Sequence, residues 1–102
     1  MTKTFRPIVY LCNSGTGDTE EYCRFALAQG QIPLSPLSLM TPVQDEELRT
    51  QISSVLLGKS NELWVFGDTI TAGMKAEIDV AKRRRQPIRY FDSFMNEVKK
   101  ND

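Results

Sequence analysis

The side chains best suited to chemistry in this chain are a carboxylate, a phenol and a cluster of hydroxyls. Glu77 closes the stretch Leu63 to Ile78, LWVFGDTITAGMKAEI. There an apolar run, Leu63-Trp64-Val65-Phe66, stops at Gly67-Asp68, crosses the Thr-rich segment to Ala72 and enters a helix at Gly73. Roughly one turn into that helix, the Glu77 carboxylate can point into the space beyond the strand. It could attack an anomeric carbon or accept hydrogen bonds from ribose hydroxyls. A solvated Glu complementing the helix N-terminus is the competing reading. Tyr10 lies near the carboxyl end of another apolar run, where its hydroxyl could reach a carboxylate; without further context, a plain core aromatic is the better fit to the position. The loop that follows, Asn13-Ser14-Gly15-Thr16-Gly17-Asp18, joins glycines that permit close approach to hydroxyls and the free N–H groups of a helix start. That composition suits a phosphate, or a simple strand–helix turn capped by Asp18.

Other chemistries are excluded by composition. The chain contains no histidine, which rules out Ser-His-Asp and Cys-His units. Its two cysteines, Cys12 and Cys23, form no CxxC and read as buried thiols, so no metal site is expected. Lys and Arg total 13, as do Asp and Glu, which gives no general case for nucleic-acid or membrane binding. No signal peptide or membrane-length apolar run stands out in the sequence, and a cytoplasmic location is expected. With 102 residues, 40% of them hydrophobic, one domain spanning 1–102 is expected, small enough that a homo-oligomer is plausible. The basic run Lys82-Arg83-Arg84-Arg85 reads as compensation of a helix C-terminus, or as a phosphate clamp offered to a neighbouring subunit.

The elements that must position these groups follow from apolar periodicity. Pro7 to Cys12 is predicted as a central strand. A helix follows from Asp18 or Thr19 to about Gln29, with Tyr22, Phe25, Ala26 and Gln29 on one stripe and Gly30 as its stop. Ile32 to Ser35 is a brief edge strand between prolines, and Leu37 to Gln44 a loop. The second helix opens at Asp45 and runs to Gly58, with an inward stripe of Leu48, Ile52, Val55 and Leu56. Asn61 to Phe66 is a buried strand, Gly73 to Arg85 a helix with Met74, Ile78 and Ala81 inward, Pro87 to Phe91 a strand, and Asp92 to Lys99 a short closing helix with Phe94, Met95 and Val98 as its apolar residues. Alternating strands and helices with short connections make an α/β fold: a flavodoxin-like, doubly wound parallel sheet of order 2-1-3-4 in a three-layer αβα sandwich. The switch point between the first and third strands then brings NSGTGD and GDTITAG together.

Taken together, Tyr10, Gly17-Asp18, Ile32-Pro33, Asn61-Glu62-Leu63-Trp64-Val65-Phe66-Gly67, Thr71-x-Gly73-Met74-x-x-Glu77-Ile78 and Ala81-Lys82 resemble the nucleoside 2-deoxyribosyltransferase-like family, most closely its short phage and prophage branch. The resemblance spans about residues 7 to 91. It implies a Rossmann-like fold and chemistry at the N-glycosidic bond of nucleosides or nucleotides. Glu77 matches the family's nucleophile and Tyr10 the residue that positions it. Several family positions differ: Asn61 stands where Asp is frequent, Ser53 where a helix-borne Asp or Asn holds sugar or base, Thr71 where Asp or Ser is common, Asn13-Ser14-Gly15 where Ser-Pro-Tyr is usual, and Leu37 where His commonly follows the proline.

A retained crevice with a thinned catalytic set points first to a nucleotide- or nucleoside-binding protein. Cys12, Asn13, Ser14, Gly15, Thr16, Gly17, Asp18, Gly67, Asp68, Thr71, Gly73 and Met74 are the expected ligand contacts. The phage-like branch suggests an anti-defence sponge that sequesters an ADP-ribose-like or cyclic nucleotide signal. The alternative is a nucleoside deoxyribosyltransferase or nucleotide N-glycosidase that uses Glu77 and Tyr10. A third reading is an FMN-binding protein, because SGTGDTE also resembles the phosphate loop of flavodoxins. The first two readings require no cofactor, and the partner is a small molecule.

Overall fold

The computed structural model describes residues 6–14, 19–36, 40 and 42–99. In chain order the elements are β1 (Ile8–Cys12), α1 (Thr19–Ala28), β2 (Ile32–Leu34), α2 (Glu46–Gly58), β3 (Glu62–Phe66), α3 (Ala72–Arg83), β4 (Ile88–Phe91) and β5 (Glu97–Val98). The sheet order is β2-β1-β3-β4-β5. The pairs β1–β2, β1–β3 and β3–β4 are parallel, and β4–β5 is antiparallel. This is the flavodoxin-like three-layer arrangement expected from the alternating pattern, with its switch point between β1 and β3.

Buried side chains alternate to both faces of the central strands, as a parallel sheet covered on two sides requires. Val9, Leu11, Trp64, Phe66 and Phe91 pack against Tyr22 and Ala26 of α1. The Phe66 ring stacks between Tyr22, at 4.4 Å, and Phe91, at 5.1 Å. Tyr10, Cys12, Leu63 and Val65 face the other way, against Leu57 of α2 and Met74, Ile78 and Ala81 of α3. Arg84 joins the two helices, donating to the Ser54 carbonyl and hydroxyl at 3.1 Å each. The caps are local. Asp45 Oδ1 accepts from the Glu47 and Leu48 amides at the start of α2, and Thr71 Oγ1 accepts from the Met74 amide at the start of α3. Gly30, at φ 82°, takes the left-handed conformation that ends α1, leaving Gln29 just beyond the helix and exposed.

Two expectations are overturned. Asp92 to Lys99 is a turn and a strand, not a helix. Asp92, which would have capped that helix, accepts instead from the Phe94 and Asn96 amides at 2.9 Å each, and Met95 adopts φ 66°. The chain reverses there and β5 adds to the sheet edge, where Arg89 grips Glu97 through two bonds of 3.0 and 2.8 Å. The α2 stripe is also misassigned. Leu57 is buried and Leu56 packs against the core beside it as expected, whereas Leu48 is 43% and Val55 59% exposed. Among the described residues no helix is long and apolar enough to cross a membrane.

The aromatic layer should dominate stability. Phe66→Ala is expected to lose about 3–5 kcal/mol in urea denaturation. Phe94→Ala, at an 80% exposed position, should stay within about 0.5 kcal/mol. Equal losses at the two positions would contradict this packing.

Candidate functional site

β1 carries Tyr10 to the carboxyl half of the sheet with its ring sealed under α2 and α3. A buried phenol needs a hydrogen-bond partner, and Glu77, on the sheet-facing side of α3, supplies one. Tyr10 donates its hydroxyl to Glu77 Oε2 at 2.5 Å. Ser53 of α2 and the Cys12 thiol interact with the same carboxylate. Burial pushes the Glu77 carboxyl above its ordinary value, and the Tyr10 hydrogen bond, with the nearby Cys12 and Ser53, pulls partly against it. Burial, reinforced by the neighbouring Glu77 charge, raises both the Tyr10 phenol and the Cys12 thiol, so both are protonated donors at neutral pH.

Glu77 forms part of the wall of a cavity of about 540 Å³ between α2, α3 and the end of β1. Small-molecule sites typically occupy roughly 300–1,000 Å³. Met40, Pro36, Met74 and Val80 provide apolar wall, and Ser14, Thr50, Ser53, Ser54 and Thr71 can supply hydroxyls. Arg49 of α2 and Arg83 of α3 also line it. Neither guanidinium makes an ion pair or side-chain hydrogen bond among the described residues. Among those residues no group of three or more His, Cys, Asp or Glu is placed to hold a metal.

The cavity unites Asn13, Ser14, Thr71, Gly73, Met74 and Glu77, as the two-loop reading expects. Cys12 lies behind the wall, buried against the Glu77 carboxylate. Gly15, Thr16, Gly17 and Asp18 fall outside the described residues, as does Leu37. Gly67 and Asp68 do not join the cavity. They line a smaller hollow of about 210 Å³ with Tyr90, Phe91, Asp92 and Val98. Gly67, at φ 104°, turns the chain out of β3, and its amide donates to the Phe91 carbonyl at 3.0 Å. Asn61 lies at the opposite end of β3, where its side chain accepts from the Ile8 amide at 2.8 Å, so its role is to fasten the sheet. Within the basic run, Arg84 braces α2, while Arg83 faces its own chain's cavity.

Arg49 and Thr50 were not anticipated from the sequence. Their signal is the polar repeat Glu46, Arg49, Thr50, Ser53, Ser54, which follows helical spacing and shares its side of α2 with Leu57. Polar residues on the inward side of a helix indicate a cavity rather than a core.

A family described as a domain of unknown function, DUF7768, matches residues 7–91, and the chain belongs to that family. No curated protein matches it.

The elevated Glu77 carboxyl links stability to pH. Because the folded state holds this proton more tightly than the unfolded chain, Glu77 contributes most favourably below its ordinary value of 4.5. That contribution is lost as pH rises through the folded value. Tyr10→Phe removes the donor that offsets this loss. Urea denaturation should show it costing about 1.5–3 kcal/mol at neutral pH and clearly less near pH 4. An equal loss at both pH values would show that the phenol does not serve the ionised carboxylate.

Proposed function

We propose that this family member binds a nucleotide between α2 and α3, with Glu77 holding the sugar and Arg49 and Arg83 meeting the phosphate. The observation that carries this reading is the Tyr10–Glu77 hydrogen bond on the wall of a cavity that also presents two arginines without an ion pair among the described residues. A fixed carboxylate accepts from sugar hydroxyls. A guanidinium fork matches phosphate oxygens. Pro36, Met40, Met74 and Val80 give a base an apolar wall. The likeness to nucleoside 2-deoxyribosyltransferases supplies the class of molecule that combines these three parts. Retention without turnover suits a carboxylate already held by Tyr10 and raised by burial, and it is the property a sponge for a nucleotide signal needs.

N-glycosidic cleavage is the second reading, and the same hydrogen bond favours it: a tyrosine that orients one carboxylate oxygen leaves the other to attack C1′. An ionised Glu77 would displace the base from C1′, the departing base would take up a proton, and water would then release the sugar from the glycosyl ester.

Calorimetry against deoxynucleosides, their 5′-phosphates and cyclic or NAD-derived nucleotides, with chromatography of the same mixtures, separates the two. Binding without free base is expected, weakened at least tenfold in Glu77→Ala. Release of base by the wild type and not by Glu77→Gln would establish the enzyme. If no member of the panel binds and no base appears, both readings fail.

A further inference from the structure

α2 is built inside out. At about 100° per residue, Leu48 and Val55 fall on the side of the helix opposite the buried Leu57, and Ile52 lies beside them. That outward side should be the polar one. Instead it presents Leu48 at 43% and Val55 at 59% exposure, with half-buried Ile52 between. The inward side carries Glu46, Arg49, Thr50, Ser53 and Ser54 and faces the cavity. The spacing 48, 52, 55 is that of an apolar seam between two helices, and within one chain nothing among the described residues covers it.

We infer that this seam is a homodimer interface in which α2 packs antiparallel against α2 of a second copy, about a two-fold axis near Ile52. Charge selects both the occupant and the direction. Outside the cavity, the N-terminal end of α2 is acidic, with Asp45 and Glu47, and Lys59 follows its C-terminal end. An antiparallel pair sets Leu48 against Val55 of the second copy and Ile52 against its own counterpart. It brings each Lys59 toward the other copy's acidic end and opposes the two helix dipoles. A parallel pair would set acid beside acid and Lys59 beside Lys59. The seam therefore complements itself in one orientation, as a two-fold interface must. The inward side of the same helix lines the cavity, so the dimer would hold Arg49 and Ser53 on a braced element.

Sedimentation equilibrium tests this on the full chain. Wild type is expected to reach twice the 11.6 kDa of one chain, with a dissociation constant on the order of micromolar for so small an interface. Val55→Glu should sediment as a monomer and melt at the temperature the wild type shows when diluted below its dissociation constant, because the position is solvent-exposed in the single chain. In a Cys23→Ser background, Ile52→Cys should form an interchain disulfide on mild oxidation. The inference is overturned if wild type stays monomeric to about 100 μM, or if Val55→Glu leaves the assembly intact. It is also overturned if Phe94→Ala, at the β4–β5 turn, dissolves the assembly while Val55→Glu does not. Failure of Ile52→Cys to cross-link in a chain that does dimerise rejects the antiparallel register.

Discussion

The hydrogen bond from Tyr10 to Glu77 ties the core to the cavity. Tyr10 is wholly buried in a central strand, so its hydroxyl cannot fall back on water, and a phenol left without a partner there would cost about 1–3 kcal/mol. Glu77 is half-buried, so its charge needs donors. Each satisfies the other at 2.5 Å. The bond holds the carboxylate in one place on the cavity wall, using a side chain that is itself immobilised by the sheet. Cys12, two residues along the same face of β1, and Ser53 of α2 complete the surroundings of that carboxylate. The result is a polar cluster bounded by Leu57, Leu63, Val65 and Met74. An arrangement of this kind favours precise placement of a negative charge over raw stability.

The inverted α2 follows from the same constraint. A helix that lines a polar cavity must turn hydroxyls and a guanidinium inward, which leaves Leu57 as its one deeply buried anchor. Its hold on the protein then depends on side-chain bridges: Arg84 to Ser54, and Gln86 to the carbonyls of Leu57 and Ser60 at 3.0 Å each. Leu56 packs at the edge of the core, and the exposed Leu48 and Val55 lie on the far side, where a second copy can use them. Cavity and proposed interface are thus two sides of one element.

Much of the fold was legible because periodicity and breakers agreed. Leu63 to Phe66 reads as a strand buried on both faces and is one. Met74, Ile78 and Ala81 read as the inner side of a helix and are buried. Sequence pattern failed where one signal had two physical solutions. The 48, 52, 55 stripe marks an apolar surface but not what covers it, so assigning it to the core missed the polar repeat beside it. Asp92 followed by Phe94 and Met95 fits a helix cap, yet the same carboxylate closes a turn whose third residue is left-handed. For the site, Glu77 and Tyr10 were legible through their places on helix and strand. Gly67 and Asp68 were misplaced because the turn out of β3 rotates them toward β4. Arg49 was hidden by a general fact, that an exposed-looking arginine on a helix is ordinary until a structure shows a cavity beside it, whereas Arg83, read as a clamp for a neighbouring subunit, lines its own chain's cavity.

In the proposed function, the space between α2 and α3 receives a nucleotide whose sugar meets Glu77. A crystal structure of the protein soaked with a deoxynucleoside 5′-monophosphate tests it most directly. Sugar oxygens are expected within hydrogen-bond distance of the Glu77 carboxylate, with Tyr10 still donating to it, and the phosphate against Arg49 or Arg83. A nucleotide seated instead in the hollow beside Gly67 and Asp68, or a cavity that stays free of ligand at saturating concentration, would contradict it.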